Sequence, residues 1–440
     1  MLSHWHQSAR KISVFVLLAA AGCYRAATLD PYMAEYETGM REMRAGKLDD
    51  ALKHFDESIK LNSAHAEAYY QRGIVYGKKG EFDKAIADFT EAARLKPSYF
   101  EALHQRALAH ASTGNVDKAM NDFTECLEMN PRNVEALSDR AALNNRILDY
   151  SAAVRDANAA LVLNPEYARA YATRGMALAL SGDYLRASND SEKAIQLDPK
   201  IATAHAALGY AQLKLGKSDE AIKTLSEAIK LNPSMADAYY FRGLANIHAK
   251  NNDDAIADCT AAVRHRAKFG DALVARGFAN FQKGDTHKAI SDYTAALKMD
   301  SRLIEGYYNR GLAHAQAEEY EKAIEDLSYA IQINPSQPSP YYQRGLVWFK
   351  QTEYNKAIED FTKAIKLNPD VANFYFNRGL AYYKLQKGDD AIRDFNDTIL
   401  RDPSNARAYY SRGLLYAKAG NMAKSKSDIQ KAKQLDPKLE

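Results

Sequence analysis

The sequence predicts an all-α protein, an α-solenoid of twelve helix-turn-helix repeats of 34 residues, and three rows of residues carry that prediction. Nine of the twelve prolines (Pro97, Pro131, Pro165, Pro199, Pro233, Pro335, Pro369, Pro403 and Pro437) fall on one progression of step 34. A second row of the same step holds only small residues, beginning Gly39, Gly73, Ala107 and Ala141 and continuing as glycine from Gly175 to Gly413. Twelve residues after each of these stands alanine, from Ala51 to Ala391, with Ser425 in the last repeat. Small residues at both rows imply two helices in close contact. The prolines mark where the second helix ends, because proline withholds a backbone donor.

The repeats are expected at 32–65, 66–99, 100–133, 134–167, 168–201, 202–235, 236–269, 270–303, 304–337, 338–371, 372–405 and 406–439. In the second of them an apolar period of three to four residues predicts a first helix over 66–79 and a second over 82–95, with Ala85, Phe89 and Ala92 on one face. Gly80 breaks the chain between them and Pro97 stops the second. The residue before each small one is arginine in ten repeats: Arg72, Arg106, Arg140, Arg174, Arg242, Arg276, Arg310, Arg344, Arg378 and Arg412. Sixteen places later the same ten repeats carry Asp88, Asp122, Asp156, Asp190, Asp258, Asp292, Asp326, Asp360, Asp394 and Asp428. The first repeat has Thr38 and His54, and the sixth has Leu208 and Thr224, so both partners vanish together. A bridge between the two helices of one repeat accounts for this, since a guanidinium fork suits a carboxylate and a half-buried partner left alone is costly. In the last repeat Lys426 stands where most others have an aliphatic residue such as Ile392, and Lys424, Lys431 and Lys433 surround it, so the final helix is expected to be a polar cap that closes the array.

The composition, 46% hydrophobic and 26% charged, is that of a folded soluble chain. Fifty-nine Lys and Arg against 56 Asp and Glu leave a net charge of +3, and no run of five like charges occurs, so nucleic acid is not an expected partner. Cys23, Cys126 and Cys259 are too few and too scattered for a disulfide framework or a cysteine zinc site. His104 and His110 lie six apart, not at the i, i+4 spacing of a helical metal pair, and no phosphate-cradling loop or nucleophile elbow is present. Neither an enzyme nor a bound cofactor or metal is expected.

A 34-residue helix-turn-helix unit with this spacing resembles the tetratricopeptide repeat, as the tenth repeat shows with PSPYYQRGLVWFKQTEYNKAIEDFTKAIKLNP. The resemblance covers residues 32–439 and departs at the fourth place, where Tyr69, Tyr171, Tyr239, Tyr307, Tyr341, Tyr375 and Tyr409 stand instead of tryptophan. It implies a right-handed superhelix whose first helices line a concave face that binds peptides or partner proteins. On that face the fifth place ends in Tyr308, Tyr342, Phe376 and Tyr410, the sixth carries Asn309, Gln343 and Asn377, and the thirteenth carries Lys350, Lys384 and Lys418. Amides can bond both backbone groups of an extended peptide, aromatic faces offer area at low entropy cost, and lysines favour acidic side chains. These ten residues are the candidate groove. The alternative is that the aromatics pack between neighbouring first helices and the lysines are only solvated. The carboxylate-clamp form of the family is not expected, because the ninth place is apolar at Leu312, Leu346, Leu380 and Leu414.

Residues 1–22 read as a secretory signal peptide: Arg10 and Lys11, then an apolar or small run from 12 to 22, too short to span a bilayer. Residues 19–23, AAAGC, resemble the lipobox of bacterial lipoproteins, which implies lipidation of Cys23 and a tether over 23–31. The other reading of this stretch is an ordinary signal peptide with an incidental cysteine. Tyr24 rather than aspartate after the cysteine fits, by the same resemblance, retention at an outer membrane. Function is therefore expected to be that of a lipid-anchored scaffold of the bacterial cell envelope with protein partners. The competing expectation is a cytoplasmic co-chaperone or regulator, soluble or held by an uncleaved N-terminal anchor.

Overall fold

A computed structural model describes residues 30–438, so the stretch expected to be a signal peptide, and Cys23, lie outside the described residues. Among the described residues there are 24 α-helices and no strand. Two compact units divide them, one up to residue 181 and one from residue 182. The first unit holds α1 (Pro31–Arg44), α2 (Leu48–Leu61), α3 (Ala66–Lys78), α4 (Phe82–Leu95), α5 (Phe100–Ser112), α6 (Val116–Met129), α7 (Val134–Arg146), α8 (Tyr150–Leu163) and α9 (Ala168–Ser181). The second holds α10 (Tyr184–Leu197), α11 (Ala202–Lys214), α12 (Ser218–Leu231), α13 (Ala236–His248), α14 (Asn252–His265), α15 (Gly270–Gln282), α16 (Thr286–Met299) and α17 (Ile304–Gln316). It continues through α18 (Tyr320–Ile333), α19 (Pro338–Lys350), α20 (Tyr354–Leu367), α21 (Ala372–Lys384), α22 (Gly388–Arg401), α23 (Ala406–Lys418) and α24 (Met422–Leu435). Within each unit a first helix packs on the second helix of its own repeat, and that second helix packs on the first helix of the next.

The second helices are amphipathic in the plain sense. In α20, Ala357, Asp360, Phe361 and Ala364 are buried while Lys356, Glu359, Lys363 and Lys366 are exposed, which is the stripe of a helix with one covered face. The two rows of small residues meet as expected: a Cβ on Gly311 would lie 3.3 Å from the Ala323 carbonyl oxygen, and one on Gly345 would lie 2.7 Å from the Phe361 ring. The turn between the two helices of a repeat passes through the left-handed region, at Gly80 with φ +78° for example. Five turns use another residue there, Leu148, Lys250, Glu318, Thr352 and Gln386, with φ between 59° and 65°.

The stop after most second helices is built from two parts, and proline is only one of them. Asn232 adopts an extended conformation (φ −136°, ψ 90°), as a residue before proline must. Its side-chain oxygen then accepts the amide of Ser234 at 3.1 Å. The same turn recurs wherever this place is Asn or Asp, as at Asn62, Asn130, Asn164, Asn334 and Asp402, so the side chain replaces the lost helical bond. At the far end, the outer face of α24 is less polar than a cap made of lysines would be. Lys426 and Lys433 are there, but Met422 and Ile429 share one shallow depression with them.

Candidate peptide-binding groove

The frame that holds the groove is a ladder of arginines. Arg310 donates from Nε to Asp326 Oδ2 at 2.8 Å and from Nη2 to Oδ1 at 2.7 Å. The same two-pronged bond joins 72 to 88, 106 to 122, 140 to 156, 242 to 258, 276 to 292, 344 to 360, 378 to 394 and 412 to 428. Arg174 and Asp190 fall one in each compact unit. Hydrogen bonding to Asp326 holds the Arg310 guanidinium above its usual range, against the effect of burial. Most of the bridges carry a third bond that the sequence reading did not find. Arg310 Nη1 also donates to Thr294 Oγ1 of the preceding repeat at 3.1 Å, and Arg344 and Arg378 reach Ser328 and Thr362 in the same way. One side chain thus ties three helices. The signal was available, since the residue sixteen before each of these arginines carries a side-chain oxygen.

The first repeat, which lacks the pair, has a substitute: His54 Nδ1 lies 2.6 Å from Glu35 Oε2. Four residues after the arginine, Asn144, Asn246 and Asn280 donate to the same aspartates. His110 takes that place in the third repeat, buried, with Nε2 4.0 Å from Asp122 and Nδ1 unpartnered among the described residues. Burial lowers its pKa.

The ten groove candidates divide into three groups. Phe376 is a correction: only 8% exposed, it packs on Phe395 (5.8 Å between ring centroids) with Ala391 and Leu415 and belongs to the core. The tyrosines bridge repeats. Tyr342 packs against Phe361 and Phe374 and accepts a hydrogen bond from Asn377 Nδ2 at 2.9 Å. Tyr308 is half-buried; burial pushes its phenol up, and a hydrogen bond with Gln343 works against that. The fifth-place phenol therefore meets the sixth-place amide of the next repeat, and the amides are partly spent on the protein itself. Tyr36 and Gln71 pair likewise in the first unit. There the same places also carry a charged version, His104 Nε2 to Asp139 Oδ2 at 2.9 Å, with Arg169 on the other carboxylate oxygen. Asn309 and Tyr410 are half-buried.

Lys350, Lys384 and Lys418 form the third group. All three are exposed, and among the described residues no carboxylate lies within ion-pair distance of them. Two apolar side chains stay open on the same helices, Tyr383 and Leu414, each 40% exposed. A cleft of about 150 Å³ lies between the eleventh and twelfth repeats, walled by Tyr383, Ile392, Leu415, Asp389 and Lys418. Cys126 and Cys259 are buried in the second-helix packing, and burial pushes their thiols up to about 11 and about 12. Among the described residues no cluster is placed to hold a metal, and no helix is long and apolar enough to cross a membrane.

Known proteins agree with this architecture. Tetratricopeptide-repeat family models match residues 206–272 and 379–440, 39–80 and 349–386, 66–99 and 304–337, 100–133, and 168–201 and 270–302. No curated protein matches the chain. Among solved structures, the Cut9–Hcn1 hetero-tetramer of the APC/C is similar with a TM-score of 0.51 at 16% identity, over 98% of this chain and 97% of that one, a likeness of fold. MamA is 30% identical over 37% of this chain and 95% of its own, with a TM-score of 0.36. YrrB, described as a TPR protein with an unusual peptide-binding site, is 23% identical over 41% of this chain and 93% of its own, with a TM-score of 0.37. An all-α helical-repeat solenoid matched by these repeat models over most of its length supports an interaction scaffold, and the chain belongs to the tetratricopeptide-repeat family.

Proposed function

We propose that the protein is a lipid-anchored scaffold of a bacterial cell envelope that holds partner proteins by segments laid across the first helices of its last four repeats. The observation that carries the binding half is the combination on α19, α21 and α23 of three exposed lysines without acidic partners and two open apolar side chains. Exposed Tyr383 and Leu414 beside them add apolar area that a bound segment would cover. The anchoring half rests on residues 19–23, whose cysteine would carry the acyl chains, more than one being needed for stable attachment. Palmitate labelling of the full chain in a bacterial host tests the anchor: incorporation lost on Cys23→Ala supports it, and an unlabelled wild type sends the reading back to an intracellular regulator. A pull-down of envelope extract with the chain from residue 24 onward tests the scaffold, which expects specific capture that weakens when Tyr383 and Leu414 are changed to serine.

A further inference from the structure

The last place of a repeat works as a plug between that repeat and the next. Its side chain meets the fifth-place side chain of its own repeat: ring centroids stand 4.9 Å apart for Tyr99 and Tyr70, and again for Phe269 and Tyr240, while Val371 packs with Tyr342. In the first repeat the plug is His65, buried with its ring 4.8 Å from Tyr36 and 5.0 Å from Tyr32. His65 also occupies the N-cap of α3, so a ring pressed on α1 ties the second repeat to the first. Of the twelve residues at this place, His65 alone titrates near neutral pH.

The hydrogen bonds fix which nitrogen carries the proton. Ser58 Oγ donates its one proton to the Tyr32 carbonyl at 2.8 Å, so the same oxygen accepts from His65 Nδ1, 3.2 Å away. Nε2 is then the bare nitrogen of the neutral ring. Ser58 stands where nine other repeats have alanine, so the hydroxyl accompanies the histidine. A second proton has to go on Nε2, and the charged group facing it is Glu67 of α3, 3.9 Å away and beyond hydrogen-bond reach. Lys96 already holds that carboxylate at 2.9 Å. From α1 the ring meets Tyr32 and Tyr36, and from α2 it meets Ser58, none of them charged at neutral pH. Burial therefore outweighs Glu67 and holds the imidazole below the ordinary histidine range.

We propose that His65 is an acid-released plug: a proton on Nε2 loosens the first repeat from the second and uncovers the joint beneath, where Val75 packs with Ala51 and Phe55. The first repeat has no Arg–Asp bridge of its own, and Arg72 Nη1 reaching back to Asp56 Oδ1 at 2.7 Å is the polar tie that remains beside the plug. Since the folded pKa is lowered, the stabilisation from the neutral ring is complete above the unfolded value near pH 6.5 and falls as pH drops below it towards the folded value. The switch is independent of which partner the scaffold holds.

Hydrogen–deuterium exchange on the full-length protein between pH 7.5 and 5, corrected for the intrinsic pH dependence of exchange, reads the opening. Opening of residues 32–61 should rise by up to about tenfold per pH unit below pH 6.5, the limit for one linked proton. Residues 338–367 of the tenth repeat hold no histidine and should keep their protection. His65→Phe, which copies the seventh repeat, and His65→Tyr, which copies the second, should each abolish the rise. Exchange at 32–61 that ignores pH in the wild type, that rises equally at 338–367, or that rises as before in both variants would overturn the proposal.

Discussion

Tyr293 carries a hydroxyl into a place where most other repeats carry Phe or another apolar residue. Its ring is fully buried against Leu273, Val274 and Ala313, and its oxygen has no partner among the described residues. Burying a hydroxyl unpaired costs about 1–3 kcal/mol. Tyr293→Phe is therefore expected to stabilise the repeat by about 1 kcal/mol, read as a higher denaturant midpoint, and a lower midpoint would mean the hydroxyl has a partner after all. His110 makes a pH-dependent case. Because burial lowers its folded pKa, the unfolded chain binds the proton more readily, so its contribution to stability is full above the ordinary histidine range, near pH 6.5. It is lost as pH falls through that value. Asparagine serves at the same place in three other repeats by donating to the aspartate. His110→Asn should therefore gain stability over wild type as pH drops from 7.5 to 5, and a gap that stays constant across that range would contradict the burial argument. Neither effect was legible beforehand: the sequence shows a tyrosine in a mostly apolar column and a histidine in a column shared by asparagine, tyrosine and other residues, but not which of their polar atoms go unpaired.

At the scale of the element, the turns and the bridges behave differently from one another. A non-glycine residue in the left-handed region costs about 1–2 kcal/mol, and Thr352 pays it at φ +64° with a β-branched side chain. Thr352→Gly should raise the denaturant midpoint by the equivalent of about 1 kcal/mol net of the added chain entropy, whereas Gly345→Ala should lower it by about 1–3 kcal/mol through the clash with Phe361. The bridges are tested by asymmetry. Asp326→Ala leaves the Arg310 guanidinium held only by Thr294, a loss of about 3 kcal/mol. The double change Arg310→Leu with Asp326→Thr, which copies the sixth repeat, should cost less, and equal midpoints for the two variants would refute the pairing. The bridges were readable in the sequence because two columns vanish together in repeats one and six. The Asx turns after all but two of the second helices were equally visible as a column of Asn and Asp, yet the regular prolines beside them drew the explanation, since both residues act on the same turn.

For the molecule as a whole, periodicity made the fold readable from three columns, because in a solenoid each repeat sees only its neighbours and one unit stands for the rest. The groove was less readable for the same reason. A fifth-place aromatic can face the concave surface or the neighbouring helix, and only packing decides: Phe376 turned inward onto Phe395, Tyr342 bridged to Asn377, and the exposed charge was left to Lys350, Lys384 and Lys418. The central claim is that partners lie on the first helices of the last repeats and not on the second helices behind them. Site-specific photo-crosslinking in living cells addresses it directly, with a benzophenone amino acid placed at Tyr383 on α21 or at Glu359 on the exposed face of α20. Discrete protein adducts from position 383, absent from position 359 and diminished when Lys350, Lys384 and Lys418 are all changed to glutamine, are the expected result; adducts from position 359 with none from 383 would contradict it.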